Sequence, residues 1–475
     1  MKKQSKHRPS TPTATPHTEN ESKSLIYWLL LLFSVAFLVW TPFYRGLFNG
    51  NSVDFERPIY SALVWGAMAL FLLATYFFYH WKFTTTKGLL SLLVLFIPLT
   101  YFISLMNAAS SYLSVNLFYI NILFVVFFLI GAYLAKNKIG AQIISIGMIG
   151  SGFVIIWFGL FHWFGDAGWF MQWFVEPGEN PVYRDAVMQD ANGYRLTSVF
   201  QYANSYAAYL IAVILSCAYI ATKPDNRSYN TIAAASILVP AIISFLLTLS
   251  RGAIVVIPVV LIIILFFLPV YRQLALLLHL GVAGIASLLI LEKVNEVGVA
   301  AQQDSGAGSG SGWAVLLGAS ALASLASWAI QRYVAPWLKR ALDQKIRFKY
   351  GNFGLPVVLV LAGTIGALLL FNDTGLSKLL PENIRERLEN INFAQHSVLE
   401  RGTFYKDALK VFKDYPVFGA GGGAWAALFE KYQNNPYVSR QAHNFFLQYL
   451  VEVGLVGFVI LLLFLGLVFF NYIRH

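Results

Sequence analysis

Residues 231–270 read TIAAASILVPAIISFLLTLSRGAIVVIPVVLIIILFFLPV, two apolar runs that are separated only at Ser250 and Arg251. A helix of about 20 residues crosses roughly 30 Å of hydrocarbon, so each run is long enough for one membrane span. The runs are continuous and lack the alternation of barrel strands. A helix also satisfies its own backbone hydrogen bonds in lipid. The stretch therefore predicts two membrane helices joined by a very short turn.

The composition extends this prediction to the whole chain. Of the 475 residues, 57% are hydrophobic and only 12% are charged, and the mean hydropathy is +0.62. These values exceed what a soluble core needs. Similar runs predict about twelve spans. Their boundaries are 25–44, 59–80, 88–107, 116–135, 141–163, 197–222, 231–249, 252–270, 274–291, 313–335, 353–371 and 446–470. The predicted fold is an all-α polytopic membrane protein with one large, partly helical external loop.

Basic residues in the short connections predict the orientation. Most of them lie in the N-terminal tail and in alternate connections: Lys2, Lys3, Lys6, Arg8, Lys23, Lys82, Lys87, Lys136, Lys138, Lys223, Arg227, Arg272, Lys339, Arg340, Lys345, Arg347, Lys349 and Arg474. Far fewer lie in the opposite connections: Arg45, Arg57, Arg184, Arg195, Arg251 and Lys293. We therefore expect both termini in the cytoplasm. The net charge of +11 largely reflects this bias and does not indicate nucleic-acid binding.

Four regions follow from this topology. Residues 1–24 are rich in Ser, Thr, Pro and Lys and are expected to form a disordered cytoplasmic tail. Residues 25–371 form an eleven-span region, and residues 372–445 form the large extracytoplasmic loop. Residues 446–475 contain the last span and a short cytoplasmic end. The Gly-Ser stretch Gln302 to Gly312 is expected to be a flexible external connection.

The loop 372–445 is too long for an ordinary connector and is expected to fold. Helical spacing occurs at Ile384 to Asn390 and at Thr403 to Phe412. Between Asp414 and Gly423 the pattern is typical of a turn followed by a glycine-permitted backbone. Peptide groups at such glycines, for example Gly421, either cradle an anion or simply form a tight turn, and both interpretations stay open.

Two arginines are expected at the outer membrane boundary. Arg251 lies in the short turn between two spans, and Arg195 precedes the sixth span. Guanidinium groups bind phosphate oxygens in a bidentate manner, so the pair suits a lipid-linked phosphate or diphosphate. The alternative is that both arginines reach lipid head groups or cap helices.

The segment Ser439-Arg440-Gln441-Ala442-His443-Asn444-Phe445-Phe446 places a histidine where the chain enters the membrane. His443 can accept a proton near neutral pH, and Asn444 can orient a substrate or cap the last helix. Glu452, about one turn into the span, can pair with an arginine or face a cavity. The single cysteine provides neither a disulfide framework nor a cysteine metal site, and the absence of a His-Glu-x-x-His motif argues against a zinc protease, so no cofactor is expected.

These segments together resemble the O-antigen ligase and O-antigen polymerase superfamily over roughly residues 190–460. The matching residues are Arg401, Thr403, Tyr405, Ala408, Asp414, Pro416, Gly419, Gly421, Gly423, Ala442-His443-Asn444 and Glu452-Val453-Gly454-Leu455-Val456-Gly457. Ser250-Arg251-Gly252-Ala253 is similar to the family's Ser-Arg-Gly signature. Arg195 to Leu210 resembles the segment that carries its Arg-x-x-Ser-x-Phe pattern, and it includes Asn204.

The resemblance implies a GT-C-like, inverting and metal-independent glycosyltransferase of the bacterial plasma (inner) membrane, with its active site on the extracytoplasmic side. The implied donor is an undecaprenyl-diphosphate-linked glycan, and the acceptor is a glycan, a lipid or a protein. His443 would help to deprotonate the acceptor, and Arg195 and Arg251 would hold the diphosphate. The implied substrate-binding residues are Arg401, Arg440, Asn204, Asn444, Gly421 and Glu452.

Several alternatives remain at this level. Ligase, polymerase and protein O-oligosaccharyltransferase share the same framework and differ in acceptor. A lipid-linked glycan flippase or transporter would carry ionisable residues deep inside several spans and would have two related halves. A non-catalytic assembly subunit would tolerate the loss of His443 and Arg251.

Overall fold

The computed structural model describes residues 25–41, 56–80, 86–168, 186–190, 193–224, 227–304, 307–343, 351–371 and 396–474. Its helices are α1 Leu25–Trp40, α2 Glu56–His80, α3 Thr86–Ser104, α4 Ser111–Leu134, α5 Lys138–Trp163, α6 Ala203–Ala221, α7 Ser228–Leu247, α8 Arg251–Phe266, α9 Val270–Gln303, α10 Gly310–Ala329, α11 Ala335–Asp343, α12 Gly354–Phe371, α13 His396–Asp414, α14 Ala424–Tyr432 and α15 Phe445–Arg474. A π-helical turn, Ile330–Val334, joins α10 to α11. One hairpin, β1 Val187–Asp190 and β2 Gly193–Leu196, precedes α6.

The predicted all-α polytopic membrane fold is confirmed. Within the described ranges, eight helical segments are long and apolar enough to cross a membrane. They are Gly88–Asn107, Ser111–Leu134, Lys138–Trp163, Ala203–Ala221, Ser228–Leu247, Val270–Gln303, Gly310–Leu342 and Phe445–Arg474. Four shorter apolar segments, Leu25–Trp40, Ala62–Phe71, Arg251–Phe266 and Gly351–Thr364, coincide with the other predicted spans, so the total of twelve stays a prediction. The predicted tail 1–24 and the helical pattern 384–390 lie outside the described residues.

Helix α9 is longer than the span predicted at 274–291. It continues to Gln303 because its last turns pack against the end of α5. The Trp163 indole donates to the Val294 carbonyl at 3.1 Å, and the Gln302 amide donates to the carbonyls of His162 and Trp163. Gly298 lies against the Trp163 ring with no room for a Cβ atom. The predicted loop Gln302 to Gly312 is therefore shorter than expected, and α10 begins at Gly310.

Contacts between connections define two ends of the helix bundle. At the loop end, residues 105–110 contact residues 416–423, and β2 contacts the turn 248–250. At the basic end, the Gln273 amide nitrogen lies within hydrogen-bond distance of the carbonyls of Leu265, Leu268 and Asn352, and Arg272 donates to Thr222. The basic end carries residues 135–137, 222–224 and 267–269, which belong to connections where the sequence predicted the cytoplasmic charges.

Residues 396–444, here called the cap, pack around their own apolar core at the loop end. The buried core residues include Phe404, Ala408, Val411, Trp425, Phe429 and Ala442. The fully buried Asp407 accepts hydrogen bonds from Lys410 at 2.7 Å and from the Tyr437 hydroxyl at 2.9 Å. The helix predicted at Thr403 to Phe412 lies within α13. The cap thereby holds a fixed loop above the start of α15.

Candidate active site

Helix α15 is broken at Gly454, about two turns after it begins. Gly454 has φ 66° and ψ −169°, which interrupts the helical hydrogen bonds. The cap compensates: Ala420 and Gly421 donate to the carbonyls of Val451 and Glu452, and Leu455 and Val456 donate to the carbonyls of Pro416 and Val417. Irregular backbone at membrane depth is tolerated where protein groups satisfy it. The break therefore fastens the cap to the last span.

Glycine is required on both sides of this junction. Gly419 has φ 72°, and a Cβ atom there would collide with the Glu452 peptide. A Cβ atom on Gly454 would collide with the Val417 carbonyl. Positive φ also disfavours other residues at both positions. The pattern of glycines in the sequence is thus explained by close backbone packing.

Glu452 connects three elements just before the break. Its carboxylate accepts from the Tyr101 hydroxyl of α3 at 2.7 Å, from the Gly423 N–H at 3.1 Å and from Gln448 at 3.2 Å. The side chain is only 3% exposed. Of the two roles expected for Glu452, the structure shows the cavity position, with neutral hydrogen-bond donors around the carboxylate.

The glycine turn uses its peptide groups internally. The Gly421 N–H donates to the Glu452 carbonyl at 3.0 Å, and the Gly423 N–H donates to the Glu452 carboxylate. The Gly422 carbonyl accepts from the Ser114 hydroxyl at 3.0 Å. A Cβ atom on Gly421 would lie 2.5 Å from the same hydroxyl oxygen. The tight-turn interpretation accounts for these groups without a bound anion.

His443 lies at the end of the cap with a left-handed backbone, φ 52°. Its ring stacks on Phe404 with 5.9 Å between centroids, and its carbonyl accepts from the Tyr405 hydroxyl at 3.3 Å. Partial burial lowers the pKa of His443, and the positive charge of Arg401 lowers it further, against an opposing effect of Glu400. The imidazole is therefore largely neutral near pH 7 and able to accept a proton.

Asn444 caps the last helix, one of the two roles expected from the sequence. Its side-chain oxygen accepts from the Leu447 N–H at 3.2 Å, and its carbonyl accepts from the Gln448 N–H at 2.9 Å. Arg440 is exposed in the preceding loop, close in sequence to both residues. This N-capping interaction fixes where α15 begins and therefore positions His443, the residue before Asn444.

A cavity of about 590 Å³ lies between α3, α4 and α15. Its polar end, toward the cap, is formed by Tyr101, Asn121, Gln441, His443, Asn444, Gln448, Tyr449 and Glu452. Farther along the spans, it is lined by Val94, Ile97, Phe124, Val125, Phe128, Leu461 and Phe464. The cavity can accommodate a molecule with a polar head and an apolar chain.

The second group of predicted residues lies where α6, α7 and α8 meet the hairpin. The Arg195 Nε donates to the Thr248 carbonyl at 2.8 Å, and its Nη1 pairs with Asp190 at 2.8 Å. The Ser250 hydroxyl donates to Asn204 at 2.8 Å, and Arg251 follows directly as the first residue of α8. The structure thus brings Arg195, Asn204 and the Arg251 turn together, on elements other than the cap and α15, which position His443.

Sequence reasoning missed several residues of the site. Gln448 is one of them, although it lies four residues after Asn444 and four before Glu452, so helical spacing could have placed it on the same face as these two predicted residues. Tyr101 had no comparable signal, because it reaches Glu452 across 351 positions. Asp190 was missed because its link to Arg195 depends on the hairpin.

Fold and cavity define a polytopic membrane protein with a candidate site for an amphiphilic substrate. Residues 235–462 match the family model described as O-antigen ligase, and this match supports the O-antigen ligase and polymerase superfamily. The match includes Arg251, Arg401, Arg440, Gly421, His443, Asn444 and Glu452, whereas Arg195 and Asn204 precede it. The family supports a membrane glycosyltransferase of ligase or polymerase type. No curated protein and no solved structure matches the chain.

Proposed function

We propose that this protein transfers a glycan from undecaprenyl diphosphate to an acceptor hydroxyl on the extracytoplasmic face of the membrane. The observation that carries the proposal is the cavity that joins the polar His443–Glu452 end to an apolar stretch between α3, α4 and α15. A polyprenyl-linked glycan likewise combines a polar head, the glycan diphosphate, with an apolar chain. The family match supports a lipid-linked glycan as substrate.

In the proposed reaction, the acceptor oxygen attacks the anomeric carbon of the donor. The bond from that carbon to the diphosphate oxygen breaks, the configuration inverts, and undecaprenyl diphosphate leaves. His443 takes the proton of the acceptor hydroxyl. Its lowered pKa favours the neutral imidazole that this role requires, and general-base catalysis of this kind contributes about 10²–10⁴-fold.

Arginines stabilise the charge on the leaving diphosphate. Arg401 lies close enough to His443 to influence its charge, and Arg440 lies three residues before it. Arg195 and Arg251 add positive charge at the α7–α8 turn, where Asp190 offsets part of the Arg195 charge. A guanidinium has five N–H donors, so Arg195 retains donors beyond those bonded to Thr248 and Asp190. One well-placed donor is worth on the order of 3 kcal/mol, and the mechanism needs no metal.

The test is transfer of a radiolabelled undecaprenyl-diphosphate-linked glycan by purified protein in nanodiscs. His443→Asn is preferred over alanine because asparagine tolerates the left-handed backbone. We expect His443→Asn and Arg251→Gln each to lower the rate by about 100-fold or more. The exposed Arg340 at the basic end supplies the control, and Arg340→Gln should transfer at the wild-type rate.

A panel of glycan, lipid and protein acceptors identifies the subclass, because ligase, polymerase and protein transferase differ there. Thermal unfolding of each variant shows whether it is folded. Full activity in folded His443→Asn and Arg251→Gln would refute the catalytic assignment. Movement of the labelled lipid across the bilayer without transfer to any acceptor would instead indicate a flippase.

A further inference from the structure

At the basic end of the bundle, two cationic side chains lie against one aromatic ring. The Lys223 Nζ is 5.8 Å from the centroid of Tyr219, and the Arg272 guanidinium carbon is 4.8 Å from it. Within the described part of the chain, neither cation forms an ion pair with a carboxylate. Two like charges beside one ring repel each other, and a bound anion would offset that repulsion.

The protein fixes the position of Arg272. Its Nη2 donates to the Thr222 hydroxyl at 3.2 Å, and that hydroxyl is buried and donates to the Tyr219 carbonyl at 2.7 Å. The Nε of Arg272 is buried and has no hydrogen-bond partner among the residues that the structure describes. A buried donor without a partner is costly. The guanidinium is thus held in place, and its remaining Nη donors are the groups that can reach a ligand.

Helix ends do not supply the missing negative charge. The C-terminus of α6 at Ala221 contributes about half a negative charge, but the N-terminus of α9 at Val270 contributes about half a positive charge. Among the described residues and helix ends, the two positive charges are therefore not offset. A third cation is nearby, because the Lys339 Nζ lies 5.9 Å from the ring of Tyr271, the residue before Arg272.

We propose that Lys223 and Arg272 bind the phosphate of an anionic phospholipid head group. Lys223 lies shortly after the last residue of α6, and Arg272 lies in the first turn of α9. Both positions are at the boundary of a membrane span, where lipid head groups are expected. Tyr219 is 38% exposed, and tyrosine rings are typical of membrane interfaces. Arginine and lysine beside an interfacial ring suit a lipid phosphate. This site does not depend on the proposed transfer reaction.

The experiment measures retention of phosphatidylglycerol on purified full-length protein by native mass spectrometry, and thermal unfolding in nanodiscs with and without phosphatidylglycerol in phosphatidylcholine. The test variant is Lys223→Gln/Arg272→Gln. The matched control, Arg227→Gln/Arg340→Gln, removes the same charge at the same end from exposed positions. We expect roughly 30-fold weaker retention in the test variant, because it loses charge-assisted hydrogen bonds to the lipid phosphate that the exposed arginines of the control do not make.

The control variant should retain the lipid as the wild type does. Phosphatidylglycerol should raise the unfolding temperature of the wild type and of the control variant, but not that of the test variant. Equal losses in the two double variants would overturn the proposal in favour of general surface attraction. If inorganic phosphate in pure phosphatidylcholine nanodiscs raised the unfolding temperature as much as phosphatidylglycerol does, the lipid assignment would be overturned. The Arg272→Lys variant serves as a second test if the double variant fails to fold, and it should bind more weakly because it lacks the bidentate fork.

Discussion

At the scale of single residues, the titration of His443 links the site to a measurable pH dependence. Protonated histidine cannot take a proton, so the transfer rate should fall as pH decreases through the His443 pKa, which lies below its ordinary value of 6.5. Arg401→Gln removes a charge that disfavours protonation, so the pKa rises and the acid limb moves to higher pH. Glu400→Gln should move it to lower pH. Profiles of kcat/KM against pH for the wild type and the two variants would check this prediction. Acid limbs at the same pH in all three proteins would contradict it.

Glu452 makes a separate prediction about stability. Glu452→Leu leaves the Gly423 N–H and the Tyr101 hydroxyl without their acceptor in a buried site, so we expect a cost of at least about 2 kcal/mol. Glu452→Gln keeps one acceptor oxygen and should cost less. Unfolding temperatures in detergent would compare the two variants. Equal destabilisation by both would mean that the hydrogen bonds do not determine the effect.

At the scale of elements, the break in α15 is the feature that joins cap and membrane span. Gly454→Ala introduces a Cβ atom that collides with the Val417 carbonyl at a positive φ, so the junction must open. We expect a large loss of stability, on the order of 3 kcal/mol or more, together with loss of transfer. Gly466→Ala in the same helix meets open space and is the matched control. Unchanged stability of Gly454→Ala would show that the break is not rigid.

At the scale of the whole molecule, the charge asymmetry predicts the orientation. The loop end should face the extracytoplasmic side and the basic end the cytoplasm. Cys217 is fully buried, so background labelling is small. A membrane-impermeant maleimide should label Val438→Cys in the cap of intact spheroplasts, and should label Arg340→Cys only after lysis. The opposite pattern would reverse the topology and place the proposed site in the cytoplasm.

The amino-acid sequence by itself determined that this is a polytopic helical protein and indicated where the candidate site begins. Both properties are local: a helix closes its hydrogen bonds within four residues, and an apolar run meets the requirement of lipid wherever it occurs. His443 and Asn444 were found because they adjoin such a run. The family resemblance over residues 190–460 likewise agrees with the match at 235–462.

Only the tertiary structure decided which groups act together. Tyr101 meets Glu452 across 351 positions, Arg195 meets Thr248 across 53, and the cap satisfies the broken backbone of α15. The extension of α9 to Gln303 likewise depends on Trp163 of another helix. These contacts are set by how helices pack against each other. A pattern along the chain contains no distance between helices, so it could suggest the residues but not their partners.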